Sequence, residues 1–379
     1  MYKLAIASAA LAGTAAAAAV SLAVDTHNGK NCRDIQVPVT VNTTIKQFDY
    51  TPTGKEADTT NFFLDFTRHG DDFMTRIITS NNTNIHKDYT LAATICHPAS
   101  GPSDTLQILT HGVGFDRSYW DSPFAGYNYS YVARAVGDAG HSTLSWDRLG
   151  IAGSSHGDPV QEIQLGLEVE ALRQLTLAAQ EGRLCGLGQH RFARTAHKLA
   201  SDHPDVTDAV VLTGFSQAPA YMALFALGAN FAPVGAVSER LAAAYATGYI
   251  APKDAIGVQI DFFAPGDFDD AMLRYATDNG QPAAAGELLT VADGAAAPSR
   301  FAGPVQIITG EYDVPFCGGN CNKVMSADAP NILELSRPMF PEAESFTATV
   351  VPGAGHGLNF GYSHLDTYKG ILDFLKQAL

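Results

Sequence analysis

Two segments in the last quarter of the chain each deliver one polar side chain from the end of an apolar run. Pro304-Val305-Gln306-Ile307-Ile308-Thr309-Gly310-Glu311-Tyr312-Asp313 ends on a carboxylate, and Val350-Val351-Pro352-Gly353-Ala354-Gly355-His356-Gly357 ends on an imidazole. Each is a β-branched strand that stops at a glycine-containing loop. A carboxylate and a histidine at strand ends suit acyl transfer: the acid fixes the imidazole tautomer, and the imidazole takes the proton from a nucleophile. Asp313 and His356 are therefore the candidate acid and base. Taken singly, an Asp in such a loop is a turn former and a His between glycines is a surface residue. The pair gains meaning from what stands upstream.

Leu106 to Thr110 forms another buried-type strand, ending in His111-Gly112-Val113-Gly114-Phe115-Asp116. The glycine-rich turn frees backbone N–H groups to converge on one spot, as an oxyanion site requires, and Val113 is the donor it places best. Ser142 to Trp146 is a further strand, running into Asp147-Arg148-Leu149-Gly150.

With four strand-to-loop junctions in this order, the chain resembles the α/β-hydrolase superfamily. More narrowly, it is similar to secreted fungal hydrolases with H-G-x-G-F-D-R-S-Y-W-D, D-R-x-G, C-G-G-x-C and G-H-G-L-N blocks. Here these read His111 to Asp121, Asp147 to Gly150, Cys317 to Cys321 and Gly355 to Asn359. The resemblance implies an α/β fold, a mostly parallel sheet flanked by helices, with a helical cap inserted at about 217–302 of a domain spanning 24–379. It also implies a serine hydrolase of esterase or lipase type, with Asp313 as triad acid, His356 as general base and Val113 at the oxyanion. The fold itself serves many reactions.

The nucleophile departs from that pattern. The expected G-x-S-x-G elbow should follow the helix announced by Val160, Ile163, Leu167, Ala171, Leu175 and Ala178, yet Arg191 to Asp205 contains none. Two readings stay open. In one, the strand Ala209 to Thr213 runs into Gly214-Phe215-Ser216-Gln217-Ala218, and Ser216 is the nucleophile. In the other, that strand is the one after the elbow, an elbow is missing near His197 and Lys198, and the chain is a catalytically impaired hydrolase-fold protein that binds a small apolar ligand. Removing a central parallel strand would leave its neighbours unpaired. Ser154 and Ser155 read as loop formers.

The chain has 379 residues, 46% of them hydrophobic and 17% charged, enough to bury a large core. Its formal charge of -15 argues against a nucleic-acid partner. Met1 to Ala23, with one Lys and a long Ala-rich run, reads as a secretory signal peptide, and no later stretch is long and apolar enough to span a membrane. Secretion permits disulfides, drawn as Cys32 with Cys96 and Cys317 with Cys321, leaving Cys185 unpaired. Zinc ligation lacks the necessary partners, and no metal or cofactor is called for. Asn42, Asn81 and Asn128 fit the N-x-S/T glycosylation pattern. Pro282 to Pro298, rich in Ala, Gly and Pro, reads as a linker. The expected substrate is a small apolar ester or acyl compound.

Overall fold

The computed structural model describes residues 30–184, 191–194, 197–295 and 297–379. Met1 to Ala23 and Cys185 lie outside them. Among the described residues eleven strands are formed: β1 Lys30–Phe48, β2 Ile78–Pro98, β3 Thr105–Thr110, β4 Ser142–Trp146, β5 Arg191–Arg194, β6 Ala209–Thr213, β7 Phe231–Pro233, β8 Tyr249–Pro252, β9 Ala283–Ala284, β10 Val305–Gly310 and β11 Phe346–Val351.

Eight of these make one sheet in the order β1-β2-β4-β3-β5-β6-β10-β11. The β1/β2 and β2/β4 pairings are antiparallel, and every pairing from β4 to β11 is parallel. β3, β4 and β10 are almost continuously buried because parallel strands covered on both faces have no solvent side. β1, by contrast, alternates buried and exposed positions, as an edge hairpin with one wet face should. Cys32 and Cys96 are register partners across that hairpin and are joined by a disulfide.

β5 occupies the centre of the parallel region, pairing with β3 from Thr105↔Arg191 to Ile108↔Arg194 and with β6 at Ala193↔Ala209 and Arg194↔Val210. The neighbours are therefore not left unpaired, contrary to the expectation that a shortened chain could not complete the sheet. β5 is four residues long, so described pairing stops at Ile108 and Val210 while β3 continues to Thr110 and β6 to Thr213.

Helices cover the sheet. Leu165–Gln180 buries Leu167, Ala171, Leu175 and Ala178 on one stripe, and His364–Ala378 buries Tyr368, Ile371, Phe374 and Leu375. Between β6 and β10 the chain builds short helices, including Met222–Gly228, Ala255–Phe262 and Ala285–Thr290, around a small antiparallel sheet β7-β8-β9. The insertion is thus not purely helical. Nor is Pro282 to Pro298 a linker throughout: Ala283, Ala284, Ala285, Leu288 and Leu289 are buried, and the lack of a side chain at Gly286 lets this backbone lie directly against Val160 and Ile163. Among the described residues, no helix is long and apolar enough to cross a membrane.

Candidate active site

The C-terminal ends of β10 and β11 bring Asp313 and His356 together. Asp313 Oδ2 accepts from His356 Nδ1 at 2.8 Å and from the Thr309 hydroxyl at 2.5 Å, while Oδ1 accepts from the Phe316 N–H at 2.7 Å. Three donors therefore fix a fully buried carboxylate. With its Nδ1 proton directed at Asp313, the imidazole keeps Nε2 as an acceptor, the arrangement a general base needs. The rings of Phe262 and Phe316 stack on it at centroid distances of 5.8 and 5.5 Å.

Asp313 also begins the short helix Val314–Cys317, and Cys317 is joined to Cys321 by a buried disulfide. The loop is closed further by Gly319 N–H donating to the Asp313 carbonyl at 2.8 Å and Cys321 N–H donating to the Glu311 carbonyl at 2.8 Å. The acid thus sits in a cross-linked turn.

His356 lines a cavity of about 240 Å³ together with Thr110, Val113, Phe115, Tyr119 and Phe262. Its surface is mainly apolar. Gly112 and Val113 supply the backbone there, and among the described residues the Val113 N–H makes no hydrogen bond. The His111 Nδ1 hydrogen goes to the Gly112 carbonyl at 2.9 Å, and Nε2 accepts the Arg148 N–H at 3.0 Å. Burial, reinforced by the neighbouring Arg148 cation, pushes this imidazole down to about 3, so it stays neutral and keeps that tautomer. The 111–121 and 355–359 blocks are tied directly, Asn359 donating to the Tyr119 carbonyl at 2.9 Å.

Ser216 lies elsewhere. Its hydroxyl donates to the Phe316 carbonyl at 2.6 Å and accepts from the Ala218 N–H at 3.2 Å, and the residue is buried outside the cavity lining. The residue that meets His356 is Gly214, at φ +58°, where a Cβ would stand 2.6 Å from the imidazole Cε1. Only glycine fits there. Ser154 and Ser155 hold the turn after β4, accepting from Ala92 and Thr90 N–H groups at 2.9 and 2.8 Å. The chain between β5 and the helix His197–Asp202 is Thr195-Ala196, outside the described residues.

The chain, with two antiparallel strands leading a parallel series, is similar in fold to solved structures. Bromoperoxidase from Bacillus anthracis superposes with a TM-score of 0.50 and 19% identity, covering 76% of this chain and 96% of that one. A thermophilic esterase from Thermogutta terrifontis superposes with a TM-score of 0.50 and 13% identity, covering 77% and 94%. The fold is that of the α/β-hydrolases. No protein-family model matches the chain, and no curated protein matches it significantly.

Thr110 and Thr213, the last residues of β3 and β6, both line the cavity. Sequence reading missed Thr309 and Phe316, which complete the donor set around Asp313; a hydroxyl four residues before the acid is a faint signal, and a backbone N–H gives none. Among the described residues, the cluster with metal-ligand atoms close together is Cys32, Cys96 and Asp121, whose sulfurs are bonded to each other and whose carboxylate is taken by Lys30. It offers no free ligand set.

Proposed function

We propose that the protein hydrolyses a small apolar carboxylic ester or related acyl bond, with His356 as general base on water rather than on Ser216. The observation that carries this is the His356 Nδ1 to Asp313 Oδ2 contact at 2.8 Å, on an apolar cavity that also holds the Gly112–Val113 peptide. Nε2 takes a proton from water as the oxygen attacks the carbonyl carbon. The carbonyl oxygen gains negative charge, met by the Val113 N–H. On collapse, the carbon–oxygen bond to the alcohol breaks and the imidazolium returns its proton to the leaving alkoxide. Asp313, hydrogen-bonded to Nδ1, stabilises the imidazolium.

A covalent serine route is a second reading, favoured by the position of Ser216 two residues beyond Gly214, which packs on the His356 ring. It requires the Ser216 hydroxyl to leave the Phe316 carbonyl. Turnover of p-nitrophenyl esters by the wild type, Ser216→Ala and His356→Ala separates the routes. Loss in the histidine variant alone supports water as nucleophile, and loss in both supports the serine. Ester binding without turnover in the wild type points to a ligand-binding protein on this fold.

The same proposal places the protein outside the cell. Two disulfides support this, as do the three exposed sequon asparagines, Asn42, Asn81 and Asn128.

A further inference from the structure

Away from His356, a buried cluster of charged side chains joins three distant segments. Arg148 follows β4, Glu168 lies in the first turn of the helix Leu165–Gln180, and Glu287 lies in the helix Ala285–Thr290 of the insertion. All three are less than a tenth exposed. Arg148 Nη1 donates to Glu168 Oε2 at 3.1 Å and also contacts Glu287 Oε1. Removing one partner from such a buried set leaves an uncompensated charge, which disrupts more than loss of an exposed pair.

The same arginine reaches the cavity through its backbone. Its N–H donates to His111 Nε2 at 3.0 Å, and His111 Nδ1 donates to the Gly112 carbonyl at 2.9 Å. A trans peptide is planar, so pinning the Gly112 oxygen on one side aims the Val113 N–H toward the other. The helix carrying Glu287 is held equally closely. Gly286 N–H donates to the Pro159 carbonyl at 2.7 Å, and Leu165 N–H donates to the Thr290 hydroxyl at 3.0 Å. A Cβ on Gly286 would stand 2.4 Å from the Val160 carbonyl oxygen, so this approach tolerates glycine alone. Leu288 and Val291, next on that segment, line the cavity.

We propose that Glu287 is a positioning residue: through Arg148 and His111 it couples the insertion helix Ala285–Thr290 to the Gly112–Val113 peptide, so that the cavity wall and the oxyanion donor are set together. The coupling rests on the proposed role of that peptide in ester hydrolysis, but its physical content does not require turnover.

The test is hydrogen exchange on the full chain, wild type against Glu287→Ala and Glu287→Gln, read in peptides covering 111–116, 285–291 and the C-terminal helix. The expected result is faster exchange in both of the first two regions of the alanine variant, by about tenfold, with the C-terminal helix unchanged and Gln restoring part of the protection. With p-nitrophenyl acetate, the alanine variant should lose kcat more than it raises KM. Faster exchange confined to 285–291, or spread uniformly over all three regions, overturns the coupling. If the alanine variant does not fold, Glu287→Gln and Arg148→Lys carry the same comparison. A wild type without esterase activity refutes the hydrolytic reading, while the exchange pattern still decides the coupling.

Discussion

The Ser216 hydroxyl donates to the carbonyl oxygen of Phe316 at 2.6 Å, and the ring of the same Phe316 stacks on His356. The serine thus reaches the base only through Phe316 and is committed to a backbone acceptor. A hydroxyl whose hydrogen is directed at a carbonyl cannot at the same moment give it to an imidazole. Ser216→Ala should therefore retain esterase turnover to within a few-fold. Steady-state kinetics with a short-chain p-nitrophenyl ester measure this, and a loss on the order of 10³-fold would make Ser216 the nucleophile.

The base pair should behave as a unit. His356→Ala and Asp313→Asn should each lower kcat/KM by on the order of 10³-fold or more, and the double variant should be little worse than either. Additive losses in a double-mutant cycle would mean that the two residues act separately.

Glu168 makes stability depend on pH. Burial, opposed by the Arg148 cation and reinforced by Glu287, pushes its carboxyl from 4.5 up to about 8. Between those values the folded protein holds a proton that the unfolded chain has released, so stability falls as pH rises through that window. Glu168→Gln, neutral throughout, should flatten that slope. Thermal unfolding at pH 5 and pH 8 checks it: a drop in Tm between the two that is equal in wild type and variant would remove Glu168 as its source.

The strand ends were legible because parallel strands are written as apolar, β-branched runs. Val305 to Gly310 and Ala209 to Thr213 coincide with β10 and β6. β5 was not legible, since Arg-Phe-Ala-Arg has no such run and its pairing comes from its neighbours. The segment after Pro282 misled because alanine and glycine signal a loop by composition, while here they permit close backbone packing. Asp313 and His356 could be picked out by spacing and loop chemistry. Thr309, Phe316 and the Arg148, Glu168 and Glu287 cluster could not, because their roles arise from tertiary contacts.

Asp261 lies in the helix Ala255–Phe262, 1% exposed, with neither carboxyl oxygen hydrogen-bonded among the described residues. Burial pushes it up to about 9, so it is neutral at pH 7. An unsatisfied buried polar group costs about 1–3 kcal/mol, and leucine has the same branching without that cost. Asp261→Leu should raise stability by about that amount in urea unfolding at pH 7. A destabilised variant would show that the carboxyl has a partner worth keeping.

The central claim is that His356, held by Asp313, activates water without a covalent serine intermediate. Treatment of the folded wild-type protein with a fluorophosphonate, followed by peptide mass mapping, tests it most directly, run beside ester turnover in the same sample. The account predicts turnover that depends on His356 with no phosphonylated serine at any position. A stoichiometric adduct on Ser216, with turnover lost in proportion, would contradict it.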